Sequence, residues 1–464
     1  MKDFQLVVIG SGPGGYVAAI RAGMLGLKTA LVEKDPFLGG TCLHRGCIPT
    51  KALLHTAHLY DEFKHAADHG LQVSGVDVDF PRVHKRKADI VNKLAKGIQY
   101  LMKKRKVEVF TGTGRMIDAN TVGVKRAKGD EQLRAQSVIL ATGSVPGQLP
   151  HIAPDHKTIL DSDSILLDET IPKTLAVIGA GAVGVEFASI FNSFGTKVSV
   201  VELLPNIVPV EDEQISKTLE RVFKKKGIEV HTASEVKTVT KTKGGARLTI
   251  ARGGKTSDLT VERVLLSVGR KPVTADLGLK QLGVQVDRRG YIAVNEFMQT
   301  GVPNVYAIGD IVPTPWLAHV ASAEGILAVD HIAGKTARPI NYGQIPNCTY
   351  CSPEVASIGL TEKQAREKGR KVKIGQFPFS AIGKAMIMGE TEGFIKIVSE
   401  ADYDEVLGIH IIGPKATELI AEAGLGLRLE TTVEEISRTV HAHPTLAEAM
   451  MEAAHSVYDE AIHN

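Results

Sequence analysis

Cys42 and Cys47, in the run Gly39-Gly40-Thr41-Cys42-Leu43-His44-Arg45-Gly46-Cys47-Ile48-Pro49-Thr50-Lys51, are the residues of this 464-residue chain whose type and spacing point most directly to chemistry. A thiolate is both a nucleophile and a metal ligand, so the pair suits either thiol–disulfide exchange or a metal site. A structural zinc site needs four ligands. A disulfide needs Cα atoms about 4.4–6.8 Å apart, whereas residues five apart on a regular helix are separated by roughly 8.7 Å. A bonded pair therefore requires a distorted segment, and Gly46 gives this one the freedom to distort. The chain has four cysteines in all, too few for a disulfide-stapled secreted framework.

The second constellation is His441-Ala442-His443-Pro444-Thr445-Leu446-Ala447-Glu448. Thiol exchange needs a thiolate; free thiols titrate near about 8.5, and an imidazole, titrating near about 6.5, can take the proton. Two histidines two apart could also begin a metal site, but no third ligand stands near them in sequence. Cys348-Thr349-Tyr350-Cys351 has the spacing of a redox pair or of half a zinc site. Lys51 and Glu186 are unremarkable in isolation, a Lys after a turn and a Glu on a helix.

The elements that position these residues are legible around two glycine runs. Apolar residues 4–9 lead into Gly10, Gly12 and Gly15; a helix is expected over 16–26 and a second strand over 29–32, ending at Glu33. The first glycine permits a tight turn, the second lets the backbone approach a pyrophosphate, and the third allows helix to pack on strand. The helix N-terminus offers N–H groups and a favourable dipole to the phosphates, and the acid is placed to accept from a ribose. The pattern recurs: residues 175–178 precede Gly179, Gly181 and Gly184, a helix is expected to Phe194, and a strand over 197–201 ends at Glu202. Two complete copies make simple connecting turns a poor explanation of either. Further apolar runs at 138–143 and 264–270 end in Gly143 and Gly269, and a third, 305–310, ends in Gly309-Asp310. Beyond about residue 340, strand-like stretches at 393–398 and 406–412 and a helical one at 416–429 carry no phosphate loop.

Length predicts about three domains. Hydrophobic residues at 43% and charged residues at 23% are near globular averages, and no apolar run approaches a membrane span. Net charge is +3. The basic clusters Lys103-Lys104-Arg105-Lys106 and Lys224-Lys225-Lys226 are expected to be solvated helix ends rather than a nucleic-acid surface, because no aromatic residues interleave with them. Met1 and Lys2 run directly into a strand with no room for a targeting segment, so a cytoplasmic or already mature protein is expected.

The cysteine run, the flanking glycine motifs, the 300–310 segment and the His443-Pro444-Thr445-x-x-Glu448 pattern together resemble the glutathione-reductase-like flavoprotein disulfide oxidoreductases (class I pyridine nucleotide-disulfide oxidoreductases), over the whole chain. The resemblance implies an α/β protein with two Rossmann-like dinucleotide-binding domains, the NAD domain inserted in the FAD domain, and a C-terminal α+β dimerisation domain. It implies FAD-binding segments 1–147 and 273–340, an NAD-binding segment 148–272 and an interface segment 341–464. FAD is then expected at Gly10, Gly12, Gly15, Glu33, Thr41, Lys51, Gly114, Thr142, Gly143, Ser144, Asp310, Leu317, Ala318 and His319. NAD is expected at Gly179, Gly181, Gly184, Glu186, Glu202, Val236 and Gly269. By the same resemblance Cys42 and Cys47 form the active disulfide, Cys42 exchanging with substrate and Cys47 lying against the flavin. Lys51 approaches flavin N5 and pairs with Glu186, while His443, oriented by Glu448, is the acid/base from the other subunit of a homodimer. No metal is implied. His44 and Arg45 stand where the family often has Asn-Val, and surface solvation is expected for both. Cys348 and Cys351, before Ser352-Pro353-Glu354, are expected to be buried structural thiols.

Within the family, Glu202 is acidic where an NADP enzyme would place Arg. The tail, 455–464, lacks the additional cysteine pair of mercuric reductase and the large thioredoxin reductases. What remains is the branch that reoxidises dihydrolipoamide, carried on the lipoyl domain of an acyltransferase or a glycine-cleavage carrier, with NAD⁺ as acceptor and docking to a multienzyme core. The alternative within the family is a glutathione- or mercuric-reductase-like enzyme. Two other classes stay open on the residues alone: a docking scaffold, and a zinc module on Cys348 and Cys351. Neither needs a flavin, and no nucleic-acid or membrane partner is expected.

Overall fold

The strand Lys2–Ile9 ends in the unbroken apolar run Leu6-Val7-Val8-Ile9 because both of its faces are covered there. Leu6 and Val8, with Leu31 and Ile139 on the neighbouring strands, share a cluster with Ala18, Ala19 and Ala22 of the helix Pro13–Met24. Val7, Ile9, Ala30, Val32, Val138 and Leu140 pack on the opposite face. Val8 lies opposite both Leu31 and Ile139 in the parallel register, so one pleat feeds each layer consistently. The computed structural model describes residues 1–127 and 129–463.

These strands belong to a seven-stranded sheet in the order Glu108–Thr111, Thr29–Glu33, Lys2–Ile9, Glu131–Leu140, Thr121–Lys125, Thr113–Asp118, with Val305–Ala307 also pairing to Glu131–Leu140. The first four and Val305–Ala307 are mutually parallel, and the Thr121–Lys125 and Thr113–Asp118 pairings are antiparallel. The sheet lies in a compact unit made of Met1–Ala52, Pro81–Gly147 and Arg270–Tyr342.

A second compact unit gathers Leu53–Phe80, Gln148–Gly269 and Gly343–Asn464. It holds a five-stranded parallel sheet, Glu229–His231, Lys197–Val201, Thr174–Ile178, Arg263–Leu266, Ile159–Asp161, and a three-stranded antiparallel meander from Glu235–Thr242 to Lys255–Val261. It also holds a five-stranded antiparallel sheet whose central strands are Val406–Gly413 and Phe394–Glu400, both buried throughout. Helices Ala416–Arg428 and Glu448–Ser456 cover that sheet with Ile420, Ala423, Met450 and Ala453. The fold is therefore α/β with two dinucleotide-type sheets and a C-terminal α+β part. Among the described residues no helix is long and apolar enough to cross a membrane.

The basic run 224–226 departs from the sequence expectation. Lys225 pairs with Glu392 at 2.8 Å, and Lys226 donates to the Ser352 hydroxyl at 2.7 Å, so this helix end is tied to the C-terminal part of its unit rather than merely solvated.

Candidate active site

The two glycine loops repeat one geometry. Gly10 has φ +102°, and a Cβ on Gly15 would stand 1.8 Å from the Gly10 carbonyl oxygen, so the turn needs the first glycine and the helix–strand approach needs the third. In the other loop Gly179 has φ +98°, and a Cβ on Gly184 would stand 2.0 Å from the Gly179 oxygen. The middle glycines differ from these, since a Cβ added to Gly12 or Gly181 meets nothing within 4 Å. Both are N-caps with no side-chain capping bond, at the helices Pro13–Met24 and Ala182–Ser193. Open space before an uncapped helix N-terminus suits a pyrophosphate, so each loop fits a dinucleotide.

The acids at the strand ends do more than face a ribose. Glu33 is buried, and its Oε2 accepts from the Ser11 N–H at 2.7 Å and the Ser11 hydroxyl at 2.6 Å, while its Oε1 accepts from the Asp35 N–H at 2.9 Å. Glu202 is likewise buried and accepts from the N–H groups of Ala180 at 2.7 Å and Leu204 at 2.8 Å. Each carboxylate thus clamps the residue after the first glycine. A carboxylate oxygen has two lone pairs, so acceptance from a ribose stays open.

Ser11 is a site residue that sequence reasoning missed. Its carbonyl accepts from the Gly39 N–H at 3.0 Å, and a Cβ on Gly40 would stand 2.5 Å from Gly12 Cα, so the cysteine-bearing segment is seated directly on the first glycine loop. Cys42 lies in the helix Gly40–Arg45 and Cys47 opens the helix Cys47–Lys64, with the break at Gly46. A Cβ there would stand 3.1 Å from the Thr41 oxygen, which explains why the distortion falls on a glycine. Both cysteines are thiols in this structure, half-buried, with their side chains hydrogen-bonded to each other. That bond, and then burial, push the Cys42 thiol well above its usual range, while the charge of Lys51 pulls the other way.

Around the same loop, Thr142, Gly143 and Ser144 follow the strand Glu131–Leu140, and Gly143 has φ +67°. Thr142 donates to the Val273 carbonyl at 2.6 Å. The Ser144 hydroxyl donates to Asp310, and the Arg270 guanidinium donates to the Ser144 hydroxyl at 2.7 Å and carbonyl at 2.9 Å. Arg270 thereby holds the serine that holds Asp310. Gly309 donates its N–H at 2.7 Å to the buried Glu324, which also accepts from the Tyr342 hydroxyl at 3.0 Å. Leu317 is the N-cap of the helix Ala318–Ile332, which begins at Ala318 and His319 and has no side-chain cap. Gly114 lies on the strand Thr113–Asp118, where a Cβ would stand 2.9 Å from Ile9. All these residues share the first unit with Cys42, Cys47 and Lys51.

In the second unit, Gly269 has φ +93° at the end of the parallel sheet, and Val236 is buried, its carbonyl 3.2 Å from His151 Nε2. Glu186 is buried on the helix Ala182–Ser193 and accepts from the Tyr350 N–H at 3.0 Å.

The two C-terminal histidines have opposite environments. The His441 side chain is 6% exposed, with Nε2 2.8 Å from Glu422 and Nδ1 2.8 Å from the Thr439 carbonyl, and Glu422 raises its pKa. The His443 side chain is 79% exposed, with Nδ1 2.9 Å from Glu448 Oε1. Glu448 Oε2 also accepts from the Thr445 N–H at 2.8 Å. Burial alone would raise the Glu448 carboxyl, but these partners leave it below the usual range. A carboxylate at Nδ1 requires the proton there, so Nε2 of His443 is the nitrogen free to accept one.

Cys351 is buried, donates to the Pro353 carbonyl at 3.2 Å, and is pushed well up by burial, whereas Cys348 is half-buried on the strand Asn347–Thr349. No group of metal-ligating side chains occurs among the described residues. His44 and Arg45 are not simply solvated. Both are half-buried, His44 with Nε2 2.9 Å from the Leu38 carbonyl and Arg45 donating to Asp35 at 2.6 Å, because the loop folds back on the segment before it.

Comparison with known proteins matches residues 4–325 to the pyridine nucleotide-disulphide oxidoreductases and residues 345–454 to their dimerisation domain. The chain is 46% identical to the dihydrolipoyl dehydrogenase of Bacillus subtilis (strain 168), over 99% of each chain. It is 44% identical to dihydrolipoyl dehydrogenase 1, mitochondrial, of Arabidopsis thaliana, over 99% of this chain and 91% of that one. The solved structure of LpdA from Mycobacterium tuberculosis aligns with a TM-score of 0.90 at 26% identity, over 98% of this chain and 99% of that one.

Proposed function

The chain belongs to the pyridine nucleotide-disulphide oxidoreductase family, and we propose from this premise that it is a dihydrolipoyl dehydrogenase, oxidising dihydrolipoyl dithiols with NAD⁺. The observation that carries the reading is the Cys42/Cys47 pair in mutual contact across the Gly46 break, seated on the first glycine loop. The full-length similarity to dihydrolipoyl dehydrogenases supports it.

The family implies FAD and a nicotinamide dinucleotide. FAD, when bound, relays an electron pair between the dithiol and the nicotinamide. In this reading Gly10, Gly12, Gly15 and Glu33 hold its dinucleotide part, Asp310 with Ser144 its ribityl part, and Thr41, Lys51, Gly114, Thr142, Gly143, Leu317, Ala318 and His319 line the rest. Gly179, Gly181, Gly184, Glu186, Glu202, Val236 and Gly269 receive NAD. The buried Glu202 carboxylate would repel a 2′-phosphate, which favours NAD over NADP.

Starting from the Cys42–Cys47 disulfide, a substrate thiol gives its proton to His443 Nε2 and attacks Cys42 Sγ as the thiolate, forming a mixed disulfide and releasing the Cys47 thiolate. The second substrate thiol then attacks the substrate sulfur of the mixed disulfide and closes the lipoyl ring, its proton passing to the departing Cys42 sulfur. Glu448 keeps the His443 ring in the tautomer that can accept. An imidazole 79% exposed in one subunit suits a site completed by a second, as the dimerisation domain also suggests. Four segments, 1–147, 148–272, 273–340 and 341–464, divide these tasks as FAD, NAD, FAD and interface parts, and the enzyme works in the cytoplasm, docked to a multienzyme core.

The test is NAD⁺-dependent oxidation of dihydrolipoamide by the FAD-loaded protein. Turnover is expected with NAD⁺ preferred over NADP⁺, and Cys42→Ser is expected to abolish it while FAD stays bound. Wild-type protein that holds FAD yet leaves dihydrolipoamide unoxidised would overturn the reading.

A further inference from the structure

We propose that the outer face of the helix Phe80–Lys104 docks an acidic face of the protein domain that carries the dihydrolipoyl group; this rests on the activity proposed above. Eight of the helix's 25 residues are Lys or Arg and one, Asp89, is acidic. That surplus of seven exceeds the +3 of the entire chain, so the remainder is net acidic and the positive charge is concentrated on one element.

The helical period sorts these residues. His84, Lys87, Val91, Ala95, Ile98 and Met102 form a buried stripe at spacings of three and four. Lys85, Arg86, Lys93 and Lys96 are exposed and form no ion pair among the described residues. Lys217 on another helix pairs with Glu213, and Arg366 with Glu362, whereas Asp89 is the single acid one turn from both Lys85 and Lys93. Lys85, Arg86, Lys93 and Lys96 thus outnumber the one acid of the face four to one. Arg82, Lys85, Arg86, Asp89, Ile90 and Lys93 lie together on this open face.

The inner stripe shows why this face matters to the reaction. Val91, Ala95, Ile98 and Met102 share one hydrophobic cluster with Leu43 and Ile48, the residues that follow Cys42 and Cys47. A carrier held on the outer face is therefore held on the helix that backs the redox segment. Charge complementarity sets the partner's chemistry, an acidic protein surface. Nucleic acid is disfavoured because no aromatic side chain stands among these six residues to stack on a base. A bilayer is disfavoured because the helix's apolar stripe is already spent in the core.

The experiment measures kcat/KM of the FAD-loaded, full-length protein for free dihydrolipoamide, which is uncharged, and for a reduced lipoyl domain of net negative charge. Ionic strength is raised from about 0.01 M to 0.15 M, shortening the screening length from about 30 Å to 8 Å. For wild type, the rate constant with the carrier should fall about tenfold or more over that range, as steered encounters do, while that with free dihydrolipoamide stays level. Lys85→Ser/Arg86→Ser/Lys93→Ser should lose about tenfold on the carrier at low salt and flatten its salt dependence, with free dihydrolipoamide unaffected. Lys85→Arg/Arg86→Lys/Lys93→Arg should behave as wild type. A triple Ser variant that keeps wild-type kcat/KM on the carrier overturns the docking surface alone. So does binding of a DNA duplex or of phosphatidylserine vesicles that the variant loses while its carrier kinetics stay unchanged. Failure of wild type on free dihydrolipoamide instead overturns the activity, and the inference with it.

Discussion

Two histidines two positions apart are chemically the same residue, and their surroundings give them different tasks. His441 has both ring nitrogens against acceptors, Glu422 and the Thr439 carbonyl, which fastens it as a brace. His443 has one nitrogen on Glu448 and the other available. Attack on a disulfide needs a substrate thiolate, and in the proposed reaction His443 takes the proton of the substrate thiol. His443→Gln is accordingly expected to lower dihydrolipoamide turnover by about 10²–10⁴, the usual contribution of a positioned acid/base group. NADH-driven reduction of artificial electron acceptors, which needs no substrate thiol, should survive. Equal losses in both assays would show that the substitution damaged the fold and not the proton transfer.

Each glycine loop is an element built to a tolerance of about one atom. The third glycine leaves no room for a methyl group, and the obstacle is the carbonyl of the first glycine, a backbone atom that no rotamer change can move. Overpacking of this kind costs about 1–3 kcal/mol. Gly184→Ala, whose Cβ would stand 2.0 Å from the Gly179 oxygen, should therefore raise the NAD⁺ KM about tenfold. Its FAD content, read from the flavin absorption, should stay at the wild-type level because the first loop is untouched. Loss of flavin in this variant would contradict the separate assignment of the two loops.

At the scale of the molecule, the second unit joins a nucleotide-type sheet to the C-terminal sheet through buried charge. Lys396, 1% exposed on the strand Phe394–Glu400, reaches both oxygens of Asp212 at 3.0 and 3.1 Å and Glu362 at 2.8 Å. Asp212 in turn caps the helix Glu213–Lys225 through the Gln214 N–H. Burial alone would raise the Asp212 carboxyl, but Lys396 outweighs it and leaves the group below the usual range. A depressed carboxylate contributes stability above its unfolded pKa of about 3.9, and that contribution is lost as pH falls through the folded value. Removing one member of a buried pair typically costs about 3–5 kcal/mol. Lys396→Met should thus lower the denaturation midpoint strongly at pH 7, and the gap to wild type should close toward acid as Asp212 becomes protonated in both proteins. A gap independent of pH would assign the loss to packing and not to charge.

Some of this architecture is local and was readable from the residues alone. The glycine spacings, the acids at Glu33 and Glu202, and the need for a break at Gly46 all follow from turn, helix and strand geometry within some 25 residues, where steric rules leave few choices. The implied roles of Cys42, Cys47, His443 and Glu448 came from resemblance to a family, since spacing by itself leaves a metal site or a solvated surface open. Other relations join residues far apart in the chain. Ser11 seats the cysteine segment, Arg270 holds Ser144 against Asp310, Lys396 meets Asp212, and Lys226 reaches Ser352. The fastening of His44 and Arg45 also escaped the sequence reading, although it lies within ten residues, because it depends on how the loop folds back. Periodicity determines which residues face inward on a helix or strand, but a hydrogen bond between segments depends on which strands pair and in which register. Only the tertiary structure decides that, because the free energy of a long-range contact includes the closure of all the chain between its partners.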